Sequence, residues 1–182
     1  HRSDVSVADI HKDEAIAAVQ EEAMTALCTI VAKGDGIKTL VKTGGVESIV
    51  LAMRLHVAKG ELQQRGAAAL EKVAAFGPVQ RAAVVRSEAL AALVDAIRAH
   101  ADTPAVIERC TNTLATISAG DLTCKRACVA THVPQVVIAG MLRHLRRTNL
   151  QIRGLAVLAS LTAGESDCKQ AVMAHGGVGA VC

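Results

Sequence analysis

Tryptophan and tyrosine are missing from this 182-residue chain, and phenylalanine occurs once, as Phe76. A sheet sandwich fills its pleated faces with aromatic and β-branched residues, whereas Ala, Val and Leu suit close-packed helices, so this scarcity points to an all-α protein. No apolar run reaches the roughly 18 residues that a membrane-spanning helix requires. The segment HRSDVSVADI also lacks the apolar centre of a signal peptide, so a soluble chain without membrane insertion is expected. The six cysteines, at 28, 110, 124, 128, 168 and 182, are too dispersed for a small disulfide scaffold. They predict reduced, buried thiols and a cytoplasmic or nuclear location.

Chemistry-bearing patterns are also scarce. No GxSxG, HExxH, phosphate-cradling glycine loop or paired-carboxylate pattern occurs, so no enzyme, no catalytic residue and no cofactor is expected. Cys124 and Cys128 share a helix face at i, i+4, but a zinc site needs four suitably spaced ligands and no second pair accompanies them, so no metal is expected. Six of the histidines, His11, His56, His100, His132, His144 and His175, fall near predicted helix ends or turns and form no ligand spacing, while His1 begins the sequence. Positive charge gathers late in the chain. Residues 121–182 carry seven Lys/Arg against three Asp/Glu, including Lys125, Arg126 and the run RHLRR at 143–147. Nucleic acid is not favoured as a partner, because no aromatic residue accompanies the run to stack on bases.

What the chain has in abundance is apolar residues, about half of the total, and repetition. VQEEAMTALCTIVAKG from Val19, LQQRGAAALEKVAAFG from Leu62, VIERCTNTLATISAG from Val106 and LQIRGLAVLASLTAG from Leu150 share one frame, their starts 43, 44 and 44 residues apart. Apolar or small residues recur at i, i+4, i+7, i+8 and i+11, which is helical periodicity. The second of these positions is always small, as Ala23, Gly66, Cys110 and Gly154. Glycine inside a helix costs roughly 1 kcal/mol relative to alanine, so its recurrence predicts a closely approaching neighbouring backbone. A Gly or Pro break and a short helix follow each segment, as in VQRAAVVRSE at 79–88. Another helix comes next, with apolar faces at Val46, Ile49, Val50 and Met53, at Leu90, Leu93, Val94 and Ile97, and at Ile138, Met141, Leu142 and Leu145. The doublets Gly44-Gly45 and Gly176-Gly177 occupy matching turns.

Three helices in about 43 residues, with LQQRGAAALEKVAAF followed by AAVVRSEALAALVDAI, resemble the armadillo repeat family. The frame recurs in KTLVKTGGVESIV at 38–50, CVATHVPQVVIAGML at 128–142 and KQAVMAHGGVGAV at 169–181. HEAT repeats have a similar length, though their two-helix unit suits the glycine-marked short helix less well. The resemblance implies a single all-α domain over residues 1–182, a right-handed α-solenoid of about four three-helix repeats. It is expected to be incomplete at both ends and to be a fragment of a longer array or a unit that meets other chains there. Each unit buries its apolar faces only by stacking on its neighbours.

The resemblance also implies that the third helices line a concave groove. On a helical wheel, positions 65, 68 and 72 lie about a quarter turn from the apolar stripe. The corresponding sets are Glu22, Thr25 and Thr29; Arg65, Ala68 and Lys72; Arg109, Asn112 and Thr116; and Arg153, Ala156 and Ser160. Importin-alpha-like members grip extended peptides with tryptophan and asparagine ladders on this surface. Here Thr25, Ala68, Asn112 and Ala156 stand for the tryptophans, and Thr29, Lys72, Thr116 and Ser160 for the asparagines, so that ladder is missing. Arginine recurs instead at 65, 109 and 153. A guanidinium presents a planar fork of donors suited to carboxylates and phosphates. The candidate partner-binding residues are therefore Arg65, Arg109, Arg153, Lys72, Asn112, Thr116 and Ser160, and the expected ligand is a protein partner or extended peptide, acidic or phosphorylated. Two alternatives stand beside it. The arginines pair locally as part of the framework, or the chain is an assembly unit that self-associates through its solenoid ends.

Overall fold

A computed structural model describes residues 35–163 and 166–174 and, ahead of them, residues 19, 22–27 and 31. Among the described residues every regular element is helical. Residues 22–27 are helical and are followed by α1 (Asp35–Lys42), α2 (Gly45–Leu55), α3 (Gly60–Phe76), α4 (Pro78–Arg86), α5 (Ala89–Ala99), α6 (Pro104–Ser118), α7 (Leu122–Ala130), α8 (Val133–Arg143), α9 (Thr148–Thr162) and α10 (Ser166–Ala174). Three complete short–medium–long units result, α1 to α3, α4 to α6 and α7 to α9, and α10 begins another.

Local chemistry sets the boundaries. Pro78 and Pro104 start α4 and α6, where a missing N–H costs nothing because the first helical N–H groups lack partners. Asp121 caps α7, its Oδ1 accepting from the Cys124 N–H at 3.0 Å. The turn before each medium helix passes through the left-handed region, with φ of 77° at Gly44, 62° at Glu88 and 61° at His132. Only the first of these has the residue that suits it.

The long helices α3, α6 and α9 stand side by side, the medium helices α2, α5 and α8 form a second row, and the short helices a third. The stripe predicted from the repeat faces the core: Leu62, Gly66, Ala69, Leu70 and Val73 are buried, as are Leu150, Gly154, Val157, Leu158 and Leu161. The faces of α2 and α5 are buried as predicted.

Three expectations are corrected. In α8 the buried face is Pro134, Val137, Ile138 and Met141, while Leu142 is 53% and Leu145 69% exposed. The unit places its left-handed turn at His132, 44 residues after Glu88, and that turn sets the register. In the first long segment Val19 and Ala23 are exposed and Met24 and Val31 buried, one position later than predicted, because burying Met and Val removes more apolar surface from water than burying Ala. The small residues at 66 and 154 make room for a side chain and not for a backbone. A Cβ on Gly66 would stand 2.6 Å from Met53 Cγ and Sδ, and one on Gly154 would stand 2.8 Å from Met141 Cγ.

Polar struts fasten the units. The amide of Gln63, fully buried, donates from Nε2 to the Met53 and His56 carbonyls at 2.9 and 2.8 Å, and Gln151 repeats this on Met141 and His144. Both satisfy carbonyls that end a medium helix. Thr113 Oγ1 donates across the repeat boundary to the Ala67 carbonyl at 2.9 Å. His56, His100 and His144 recur every 44 residues, a spacing that their predicted positions at helix ends did not expose. His100 Nε2 meets the Val57 carbonyl at 2.7 Å and His144 Nε2 the Ala101 carbonyl at 2.8 Å. A carbonyl only accepts, so both rings carry the proton on Nε2.

Candidate functional site

The outward strip of the long helices carries the predicted residues, but it treats them differently. Arg65 on α3 is half-buried; its Nε donates to Glu61 Oε1 at 3.1 Å, one turn away, and its Nη1 to Thr25 Oγ1. Arg109 on α6 reaches across the repeat boundary to Glu71 on α3 at 3.7 Å. Arg153 on α9 is exposed and forms no ion pair among the described residues. The three arginines therefore divide: two are locally neutralised and the third is not. Such exposed pairs contribute at most about 1 kcal/mol, so the first two remain exchangeable.

Lys72 is exposed. Two other candidates are occupied by the framework. Thr116 Oγ1 donates to the Asn112 carbonyl at 3.3 Å within its own helix. Ser160 Oγ donates to the Ser118 carbonyl at 2.6 Å, where it closes the end of α6 and ties α9 to it.

Where α6 and α9 approach, Arg109, Asn112 and Arg153 converge on one polar cleft of about 390 Å³, together with Gln64, Glu108 and Asn149. The last three were missed. Gln64 and Glu108 each precede an arginine of the ladder, so the repeat frame could have found them, whereas Asn149 has no such signal. Glu108 is drawn toward Arg147 at 4.0 Å. The cleft thus combines two guanidiniums, two side-chain amides from asparagine and one carboxylate already engaged. An anionic group would find donors with fixed planar geometry on both walls.

Among the described residues the thiols offer no second centre; Cys28 and Cys182 lie outside them. Cys110, Cys124, Cys128 and Cys168 are buried and free. Burial pushes Cys110 up to about 12, against a small opposing effect of Arg109, and pushes Cys128 up to about 12 as well. Thiols held so firmly protonated are poor nucleophiles and poor metal ligands. Among the described residues no group of three His, Cys, Asp or Glu is placed to hold a metal ion. No helix of the described residues is long and apolar enough to cross a membrane. The basic run is partly paired: Arg143 ends α8 and binds Asp102 through Nε at 2.8 Å and through Nη2.

Solved structures share this architecture. An engineered protein superimposes with a TM-score of 0.77 at 25% identity, over 90% of this chain and 64% of its own. A designed armadillo repeat protein in complex with the peptide (KR)4 gives 0.73 at 16% identity, over 85% of this chain and 63% of its own. Computationally designed armadillo repeat proteins for modular peptide recognition give 0.59 at 17%, over 87% and 82%. The chain therefore has an armadillo-like repeat fold, and it spans less than two thirds of the length of the first two of these proteins. No family model and no curated protein matches the sequence.

Proposed function

We propose that this armadillo-like chain is a non-catalytic interaction module that binds an extended protein segment along the outward strip of its long helices. The proposed segment presents a carboxylate or phosphate to Arg153 and Arg109. The observation that carries this reading is Arg153, exposed and without an ion pair among the described residues beside a polar cleft that also holds Arg109 and Asn112. The basic peptide (KR)4 belongs to the designed protein. Here the strip offers arginine and lysine, which repel such a ligand, and Thr25, Ala68 and Ala156 supply no aromatic surface. The dispersed, buried cysteines suit a reducing compartment, cytoplasmic or nuclear.

Fluorescence anisotropy with a phosphoserine-containing peptide, its unphosphorylated form and (KR)4 tests the reading. The phosphorylated peptide is expected to bind the wild type most tightly and to lose about tenfold or more, some 1.4 kcal/mol, in Arg153→Glu. Equal binding of all three peptides contradicts it.

One observation favours a second reading, self-association or a larger scaffold. The side of α9 turned away from α6 exposes Ile152 at 58% and Leu155 at 39%, whereas the equivalents of Leu155, Ala67 and Thr111, are fully buried by the next long helix. A further repeat, from this chain or a second copy, would cover that face. Sedimentation mass that grows with concentration and is suppressed in Leu155→Glu would favour it.

A further inference from the structure

The long helices differ in length. α3 has 17 residues, whereas α6 and α9 have 15 each. The added turn-end carries α3 on to Phe76, whose repeat equivalents in the sequence are Gly120 and Gly164; α6 ends two residues before Gly120. Phe76 is the single aromatic residue of the chain, and it is 43% exposed. Scattered aliphatic residues at a surface are ordinary, but a chain that keeps its one aromatic ring out of the core gives up the largest apolar group it has for burial.

The surroundings of the ring are specific to this unit. Phe76 lies one turn beyond Lys72 on the same face of α3, so it continues the outward strip. Lys38 of α1 places Nζ 6.0 Å from the ring centroid, the outer limit of a cation–π contact. Val79, at the start of α4, is 67% exposed where the sequence of the other units has Thr123 and Asp167. Lys38 and Lys72 are exposed, and neither forms an ion pair among the described residues. Glu71, which precedes Lys72, is drawn to Arg109 at 3.7 Å. In the later units Thr116 and Ser160 stand at the position of Lys72 and bind backbone carbonyls, whereas Lys72 forms no hydrogen bond among the described residues.

We infer that Phe76, Val79, Lys38 and Lys72 form a docking site for an acidic protein segment, which covers the ring with an aliphatic or aromatic side chain and sets neighbouring carboxylates against the two ammonium groups. An aromatic anchor rimmed by charge has the composition of an interface centre and its edge. The charge complement is acidic because both lysines lack a local counter-ion. Covering the ring also excludes water from the ammonium–carboxylate contacts and so strengthens them. The ring stands at the surface, so a segment laid across it fits better than an enclosed small molecule. This corner lies on α3 and α4 and does not include Arg153 of α9, so it is separate from the polar cleft.

Because Phe76 is the only phenylalanine, labelling the whole chain with para-fluorophenylalanine gives a single fluorine resonance that reports on this corner. A random dodecapeptide display library is panned on the wild-type chain after depletion on Phe76→Ser. Peptides pairing an aliphatic or aromatic residue with a neighbouring Asp or Glu are expected to enrich and to shift the fluorine resonance. They should bind Lys38→Glu/Lys72→Glu, whose two sites are exposed and outside the core, at least about tenfold more weakly, and Arg153→Glu within about threefold of wild type. Failure to enrich any peptide over Phe76→Ser, enrichment of basic sequences, or enriched peptides that leave the resonance unmoved overturns the inference. So does a resonance that shifts with protein concentration alone, which would mark a second copy as the occupant, or one that shifts with phosphatidylserine vesicles and with no peptide.

Discussion

Gly154 shows how a single residue carries the packing. A methyl group there would run into Met141 Cγ and Sδ near the root of that side chain, where rotation gives little relief. Alanine gains roughly 1 kcal/mol of helix propensity, but overpacking a tight core costs about 1 to 3 kcal/mol. Gly154→Ala is therefore expected to lower stability by about 1 kcal/mol, and Gly154→Ala with Met141→Ala to show positive coupling in a urea double-mutant cycle. A net stabilisation by Gly154→Ala alone would contradict the account. The residue pattern at Gly66 and Gly154 is plain in the sequence, but its cause is not, because Met53 and Met141 lie on a different helix and no local spacing connects them. The same limit applies to the arginines. Their recurrence at 65, 109 and 153 is legible, whereas the partners that separate them are not: Glu71 meets Arg109 only after two repeats stack.

At the scale of elements, the turns set the register that apolar periodicity leaves ambiguous. In a chain so rich in Ala, Val and Leu, Leu142 and Leu145 satisfy a helical template as well as Pro134 and Val137 do, and only the left-handed residue at His132 decides between them. The matching glycine at 44 reveals such a turn in the sequence; Glu88 and His132 hide it. A side chain in this conformation costs roughly 1 to 2 kcal/mol, so His132→Gly is expected to stabilise the protein by about 0.5 to 1 kcal/mol, measured by urea denaturation. Helix capping gives a prediction with pH. The N–H of Cys124, bonded to the Asp121 carboxylate, holds that carboxyl below its ordinary value of 3.8. A group depressed on folding stabilises above its unfolded pKa and loses that contribution as pH falls through the folded value. Asp121→Ala should thus be less stable than wild type at pH 7, and the gap should narrow below pH 3.8. A gap independent of pH would contradict the cap.

For the whole molecule, stacking converts repeated sequence into continuous surfaces, and substitutions within the repeat give each surface its character. Gln63 and Gln151 repeat because they fasten the long helix to the medium helix within a unit, and His100 and His144 because they fasten one unit to the next. Arg153 departs from Arg65 and Arg109 because it forms no ion pair among the described residues, Glu108 in the same cleft being drawn to Arg147 instead. We propose that this departure makes Arg153 an anion-binding position on the long-helix strip. Its most direct measurement is the affinity of one phosphoserine peptide for wild type, Arg65→Glu and Arg153→Glu at a single ionic strength. Arg153→Glu is expected to weaken binding about tenfold or more, while Arg65→Glu, whose position lies outside the cleft lined by Arg109 and Arg153, is expected to change it by less than about threefold. Equal losses in the two variants, or no loss in Arg153→Glu, would contradict it.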